Sequence, residues 1–216
     1  MVSGSLPRTI ALAGATGLVG REILRGLVTD SSVAAIHVLG RRAAEAMPKV
    51  TSHVVTFRSL PSLPQVDEVY LALGTTIKVA GSQEAFRAVD FDANLAVARA
   101  ALSAGARRAG LVSAMGASPK SRLFYSRVKG ELEDALAALA FEGLVIARPS
   151  MLAGDRAGLG QPRRPGEGYA LALSRLLGPL IPRNYRSVAA ADVARSLLTR
   201  VPAARGLKIV LSGEMH

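Results

Sequence analysis

The sequence predicts an α/β protein with a doubly wound, mainly parallel sheet. Short apolar runs alternate along the chain with segments whose apolar residues recur at helical spacing, the pattern of strands joined by crossover helices. The first strand-to-helix junction is glycine-rich, which allows the chain to turn sharply. With 216 residues, 50% of them apolar, the chain is long enough for one domain with a substantial core.

The predicted strands are short apolar runs bounded by turn residues. In chain order they are 8–13, 35–39, 54–57, 69–73, a strand centred on Leu111 and Val112, 144–147 and 207–211. Parallel strands end at one edge of a sheet, and ligands bind there. The residues that follow each strand are therefore the candidates for function.

The predicted helices carry apolar residues three or four positions apart. In the first, 18–28, Val19, Ile23 and Leu27 share one face. The others are 82–104, 122–141, 169–177 and a helix after Val188 that contains Asp192, Val193 and Leu197. Between them, 154–168 is rich in glycine, proline and arginine, which predicts an irregular loop.

The first strand leads into three glycines, Gly14, Gly17 and Gly20, at GxxGxxG spacing. Such a turn lets the backbone approach a pyrophosphate, whose charge is attracted by the N–H groups at the helix start. An ordinary strand-turn-helix corner is the alternative. We favour a dinucleotide site on a Rossmann fold, because the glycines stand at the junction where the fingerprint requires them. The residues predicted to bind the phosphates are Gly14, Thr16, Gly17, Leu18 and Val19.

Arg41 and Arg42 follow the second predicted strand, where this fold selects its coenzyme. An acidic residue there binds the ribose 2'-hydroxyl of NAD, whereas arginine accommodates the 2'-phosphate of NADP. A guanidinium matches phosphate oxygens in a bidentate geometry. The pair predicts NADP as cofactor, and two solvated arginines in an arginine-rich protein are the alternative.

A second polar turn, Gly74-Thr75-Thr76, follows the fourth predicted strand. A glycine and hydroxyl groups at a strand's carboxyl end are typical of ligand sites in open α/β sheets. A plain turn explains the same residues.

Three residues form a candidate catalytic set: Ser113 ends the fifth predicted strand, Tyr125 follows twelve residues later, and Lys129 lies four residues further on. On a helix, Tyr125 and Lys129 share one face. A free phenol is a poor acid–base catalyst near neutral pH, and a neighbouring ammonium favours its phenolate. Lys129 also reaches the cofactor ribose, and Ser113 hydrogen-bonds the substrate oxygen in this hypothesis.

This ordered set of motifs resembles the short-chain dehydrogenase/reductase superfamily. The motifs are GATGLVG at 14–20 with its preceding alanine, a serine after the fifth strand, and YSRVK at 125–129. A narrower similarity, to the Tat-interacting-protein type of atypical short-chain oxidoreductases, covers about residues 9–198. It rests on LGRR at 39–42, LGTT at 73–76, FYSRVKGE at 124–131, and RP at 148–149 followed by GDR at 154–156.

The resemblance implies NADPH binding, a Ser-Tyr-Lys active site and reduction of a carbonyl group. It also implies that Gly74, Thr75 and the backbone around Pro149 line the cofactor. Many members of the superfamily have a helical asparagine as a fourth catalytic residue. Because Asp90 stands at that place in this branch, the role is not assigned to Asn94.

The leading hypothesis is an NADPH-dependent reductase of a small aldehyde or ketone, in which hydride transfer is completed by a proton from Tyr125. The alternative is a non-catalytic NADP-binding sensor, although such regulators usually lack the tyrosine and lysine pair. Epimerase or dehydratase chemistry on nucleotide sugars needs a larger C-terminal region than this chain provides.

We expect a single NAD(P)-binding domain over residues 1–216, with about 150–187 forming a small substrate-binding insertion and flap. Loops of this length often act as lids in compact domains. Its three arginines, Arg156, Arg163 and Arg164, favour an anionic substrate if the flap closes. A solvated loop with no role is equally compatible with the composition.

The composition excludes several partners. The formal charge is +11, but the 22 arginines and 5 lysines are scattered, so we expect no nucleic-acid site. There is no cysteine, and His37, His53 and His216 are separated in sequence, so we expect no metal site. No run of 18 apolar residues and no secretory signal is present, which predicts a cytoplasmic protein without membrane insertion. We expect a monomer or homodimer.

Overall fold

The computed structural model describes residues 7–153, 184 and 186–215. The strands in this part of the chain are β1 (Arg8–Ala13), β2 (Val33–Gly40), β3 (Val50–Val54), β4 (Glu68–Leu71), β5 (Arg108–Val112), β6 (Gly143–Arg148), β7 (Leu152–Ala153), β8 (Val188–Ala189) and β9 (Gly206–Leu211). The helices are α1 (Leu18–Thr29), α2 (Ile77–Ala80), α3 (Gln83–Arg87), α4 (Asn94–Ser103), α5 (Phe124–Ala137) and α6 (Ala190–Arg200). A π-helical turn, Ala88–Ala93, joins α3 to α4.

Seven of the described strands form one parallel sheet in the order β3-β2-β1-β4-β5-β6-β9. From β1 the chain moves outward through β2 and β3, then returns to the other side of β1 with β4. This reversal opens a crevice at the carboxyl ends of β1 and β4, where doubly wound folds bind their ligands. The predicted doubly wound α/β fold is confirmed.

The sheet is buried on both faces because its strands send alternate side chains into two apolar layers. Ile10 and Leu12 of β1 pack with α1 and α6, whereas Ala11 and Ala13 pack with α4 and α5. Strands covered on both faces read as continuous apolar runs, which is why their positions could be predicted from the sequence. At Gly26, an added Cβ would lie 2.4 Å from the Leu198 side chain, so α1 and α6 are in close contact.

The prediction of a third strand at 54–57 is wrong, because β3 runs from Val50 to Val54. As an edge strand it exposes Thr51 and Ser52, so it lacks the apolar run of a buried strand. The apolar residues that suggested the later position, Val55 and Phe57, pack against the core from the loop beyond the strand.

The long helix predicted at 82–104 is present as α3, the π-helical turn and α4 in succession. Most of the predicted insertion at 150–187 lies outside the described residues. This includes the loop at 154–168 with Arg156, Arg163 and Arg164, and the helix at 169–177. At its ends, β7 and β8 pair in a separate two-stranded parallel sheet.

Candidate active site

Close backbone packing at the end of β1 requires glycine at two positions of the loop. Gly14 has a φ of +89°, and a Cβ added to it would lie 2.3 Å from the carbonyl oxygen of Ala72. A Cβ on Gly20 would lie 2.0 Å from the carbonyl oxygen of Gly14. No side chain fits at either position, so α1 starts directly against the loop.

Gly17 differs, because neither its φ nor any contact with the described residues requires glycine there. A Cβ added there would lie 3.4 Å from the nearest atom, an ordinary contact, and its φ is −79°. Gly17 precedes α1 without a side-chain cap, and the first turn of α1 contains no acidic residue. The start of α1 therefore has no side-chain cap and no acidic residue beside it, and an uncapped helix N-terminus is a type of site that can bind an anion.

The other predicted phosphate-binding residues lie around the same turn. Thr16 is exposed, Leu18 is half-buried and Val19 is buried. The side chain of Val19 lies in the core, so only its backbone is available to a ligand, whereas Leu18 packs against the core and stays partly exposed.

Arg41 and Arg42 lie directly after β2, next to the loop because β2 pairs with β1. Both side chains are exposed, and neither forms an ion pair within the described part of the chain. Their charge is thus available to a ligand at this end of the sheet.

A buried ion pair lies beneath the end of β4. The Lys129 Nζ is 2.7 Å from an Asp90 carboxylate oxygen, and their side chains are 5% and 1% exposed. The other Asp90 oxygen accepts a 2.8 Å hydrogen bond from the Thr75 N–H. A Cβ at Gly74 would lie 3.6 Å from Asp90 and 4.0 Å from Lys129, so the 74–75 turn rests on this pair.

Lys129 remains a cation at neutral pH. Burial has the largest single effect and lowers the pKa of its ammonium, but the charge and hydrogen bond of the Asp90 carboxylate, together with the charges of Tyr125 and Glu133, hold the pKa above its ordinary value. The structure thus brings Tyr125 and Lys129 close enough to interact, as their spacing on α5 predicts.

Tyr125 is at the wall of an open cavity of about 330 Å³. Its side chain is 37% exposed, and its ring packs at 5.5 Å from the ring of Phe86. The other lining residues are Ala114, Met115, Pro149 and Ser150. The cavity therefore lies where β5 and β6 end, with the exposed Tyr125 side chain at its wall.

The hydroxyl of Ser113 donates its hydrogen to the carboxylate of Glu133. Ser113 is buried, and Ala114 and Met115 line the cavity beyond it. Glu133 is also bound by Arg148, whose Nε lies 3.1 Å from each carboxylate oxygen. The predicted contact of Ser113 with a substrate oxygen stays a prediction, and Glu133 competes for the same hydroxyl.

Sequence reasoning missed several residues of this site. Glu133 and Arg148 received no role, although Glu133 continues the four-residue spacing of Tyr125 and Lys129 on α5. Asp90 received no partner. The amide of Asn94 donates to the carbonyl oxygens of Leu73 and Asp90, so this side chain stabilises the turn behind the pair.

Two histidines that are distant in sequence meet on neighbouring strands. The Nδ1 of His37 lies 3.0 Å from the Nε2 of His53. Burial, together with the neighbouring imidazole, lowers the pKa of His37. Within the described residues, no three histidine, aspartate or glutamate side chains form a group able to hold a metal ion. Every helix in this part of the chain is too short or too polar to cross a bilayer.

The chain is similar in sequence to several proteins with one name. It is 40% identical to protein fmp52, mitochondrial, of Emericella nidulans over 180 residues, which cover 78% of this chain and 76% of that protein. The corresponding protein of Coccidioides immitis is 35% identical over 210 residues, 87% and 83% of the two chains. That of Eremothecium gossypii is 38% identical over 178 residues, 80% and 76%. No protein-family model matches the chain.

The names of these relatives correct one prediction. Each is called mitochondrial, so the prediction of a cytoplasmic location is wrong. Nothing in the composition indicated this.

Solved structures with the same fold include nicotinamide-binding proteins. The enzyme WbmF of Bordetella bronchiseptica, in complex with NAD+, has a TM-score of 0.69 at 16% identity and covers 96% of this chain and 74% of its own. A short-chain dehydrogenase/reductase family oxidoreductase from Burkholderia thailandensis has a TM-score of 0.63 at 17% identity, covering 98% and 94%. The similarity shows that this chain has the Rossmann-like fold of these proteins.

Proposed function

Since the chain belongs to the Fmp52 family and has this fold, we propose that it is an oxidoreductase that uses NADPH to reduce a small aldehyde or ketone. The observation that carries the proposal is the position of Tyr125, which is accessible from the cavity with the buried cation of Lys129 one helical turn behind it. The names of the relatives support a mitochondrial location.

In the proposed reaction, the hydride comes from the coenzyme and the proton comes from a residue of α5. When bound, NADPH supplies a hydride to the carbonyl carbon of the substrate. Tyr125 donates its phenolic proton to the carbonyl oxygen, which yields the alcohol. Lys129 stabilises the resulting phenolate until solvent water reprotonates it through the exposed side of the ring.

The proposed cofactor site is the one that the sequence predicts. The loop that contains Gly17 follows β1, and the 74–75 turn, which rests on the Lys129–Asp90 pair, follows the neighbouring strand β4. In this proposal Lys129 hydrogen-bonds the ribose, and Arg41 and Arg42 bind the 2'-phosphate. The complete proposed set is Gly14, Thr16, Gly17, Leu18, Val19, Arg41, Arg42, Gly74, Thr75, Tyr125, Lys129 and Pro149.

Two finer assignments belong to the same proposal. The resemblance to the Tat-interacting-protein type supports an atypical enzyme with one domain over residues 1–216. Within it, we assign substrate binding to the cavity and to the region at about 150–187.

The direct test is NADPH oxidation by the purified protein across a panel of aldehydes and ketones, with and without a carboxylate group. We expect consumption that depends on the carbonyl compound, and a lower KM for carboxylated members. NADPH binding without turnover of any carbonyl would instead support the sensor. A protein that binds neither NADPH nor NADH would contradict both.

Replacement of Arg42 by Ala is expected to raise the Kd for NADPH about tenfold, which corresponds to a loss of about 1.4 kcal/mol. Its guanidinium is proposed to contact the phosphate that distinguishes the two coenzymes, so the Kd for NADH should remain unchanged. Titration of nucleotide fluorescence measures both constants.

Arg205→Ala is the matched control, because this exposed arginine precedes β9 at the opposite edge and opposite end of the sheet. It removes the same charge and should not alter the ratio of the two constants. An unchanged ratio in Arg42→Ala would remove the assignment of that residue to the 2'-phosphate.

A further inference from the structure

Glu133 connects three elements of the site. It lies four residues after Lys129 and eight after Tyr125 on α5, so all three project from one face of the helix. Its buried carboxylate accepts hydrogen bonds from Ser113 at the end of β5 and from Arg148 at the end of β6. One side chain thus fixes both strand ends to the helix that carries Tyr125.

The segments that follow these two strand ends form the walls of the cavity. Ala114 and Met115 come after β5, and Pro149 and Ser150 come after β6. The N–H of Met115 donates a 2.8 Å hydrogen bond to the Pro149 carbonyl oxygen, so the walls are also bonded to each other. A shift at Glu133 would therefore move both walls relative to the phenol.

The hydrogen-bonding capacity of Ser113 limits what else it can do. A hydroxyl has one hydrogen, and a substrate carbonyl can only accept. In Ser113 that hydrogen goes to a carboxylate, and hydrogen bonds to a charged acceptor are about twice as strong as neutral ones. A carbonyl oxygen would have to displace Glu133 to receive it.

We propose that Glu133 is a positioning residue of the reductase, and that Ser113 acts through Glu133 instead of donating to the substrate oxygen. The inference rests on the proposed function. Arg148 completes the arrangement because its guanidinium binds the Glu133 carboxylate, whose hydrogen bond and charge raise the pKa of Arg148.

Kinetics of Ser113→Ala, Glu133→Gln and the double variant test this role. We expect Glu133→Gln to lower kcat/KM about tenfold, Ser113→Ala to lower it by a smaller factor, and the double variant to match Glu133→Gln, since residues in one network are not additive. Glu131→Gln is the control, because its pair with Arg87 lies at the surface with side chains 32% and 40% exposed; it should leave kcat/KM unchanged.

The opposite result has a clear signature. Loss of a donor to the reacting oxygen typically lowers kcat about 100- to 1,000-fold. If Ser113→Ala alone lowers kcat to that extent, or if the two single effects multiply in the double variant, Ser113 contacts the substrate and the proposal is overturned.

Hydrogen exchange of the Met115 amide tests the positioning without any turnover. In Glu133→Gln we expect this amide to exchange at least about tenfold faster than in the native protein, because the walls separate more often. The Glu131→Gln control should match the native rate. Unchanged protection in Glu133→Gln would refute the positioning role.

The two measurements separate the failure of this inference from that of the proposed function. A native protein that reduces no carbonyl contradicts the reductase, while Met115 exchange still reports on Glu133. If Glu133→Gln does not fold, Ser113→Ala carries both measurements, since it removes only one hydroxyl; its kcat and its Met115 exchange rate then decide the outcome.

Discussion

Replacement of Tyr125 by Phe is expected to lower kcat for carbonyl reduction about 100- to 10,000-fold, the usual contribution of a general acid. The ring keeps its shape and its packing against Phe86, so only the proton donor is lost. The Kd for NADPH should stay within about twofold. Single-turnover rates and a fluorescence titration on the same preparation measure the two quantities.

Ser126→Ala is the control for this variant, because it removes a hydroxyl from the adjacent position of α5. It should retain the native kcat. If Tyr125→Phe turns over at the native rate, Tyr125 is not the acid. If both variants lose activity equally, the loss comes from the helix and not from the phenol.

The glycine-rich loop at 14–20 was predictable because its constraints are local. A strand, a sharp turn and a helix follow each other in sequence, and the steric limits at Gly14 and Gly20 arise within that short segment or from the adjacent strand. The pair of Tyr125 and Lys129 was predictable for the same reason, since helical periodicity alone places them on one face.

The partners of these residues were not predictable, because they come from distant parts of the chain. Lys129 meets Asp90 only where a π-helical turn brings the carboxylate toward α5, and no periodicity indicates such a turn. Ser113 stands at the predicted strand end, yet the acceptor of its hydrogen depends on the packing of α5 against β5. The sequence thus indicated Ser113, Tyr125 and Lys129 as candidates, whereas tertiary packing determined their partners Glu133, Arg148 and Asp90.

Replacement of Asp90 by Ala is expected to lower the free energy of unfolding by about 3–5 kcal/mol, the typical cost of removing one partner of a buried ion pair. The ammonium of Lys129 would remain without its counter-charge, and the Thr75 N–H would lose its acceptor. Because the folded pKa of Lys129 is raised, the stabilisation is complete below its unfolded pKa of about 10.4 and is lost only as the pH rises through the folded value. Urea denaturation at pH 7 measures the change.

The double variant Asp90→Ala/Lys129→Met distinguishes charge pairing from simple loss of packing. Removing both charges should restore part of the stability, since the main cost of the single change is an uncompensated buried cation. Asp92→Ala is the control: this residue lies in the same π-helical turn but is exposed, so its effect should stay within about 0.5 kcal/mol. If the losses in free energy of unfolding from the two single changes simply add in the double variant, the Asp90–Lys129 contact contributes no coupling energy. The 74–75 turn would then be held by the Thr75 hydrogen bond alone.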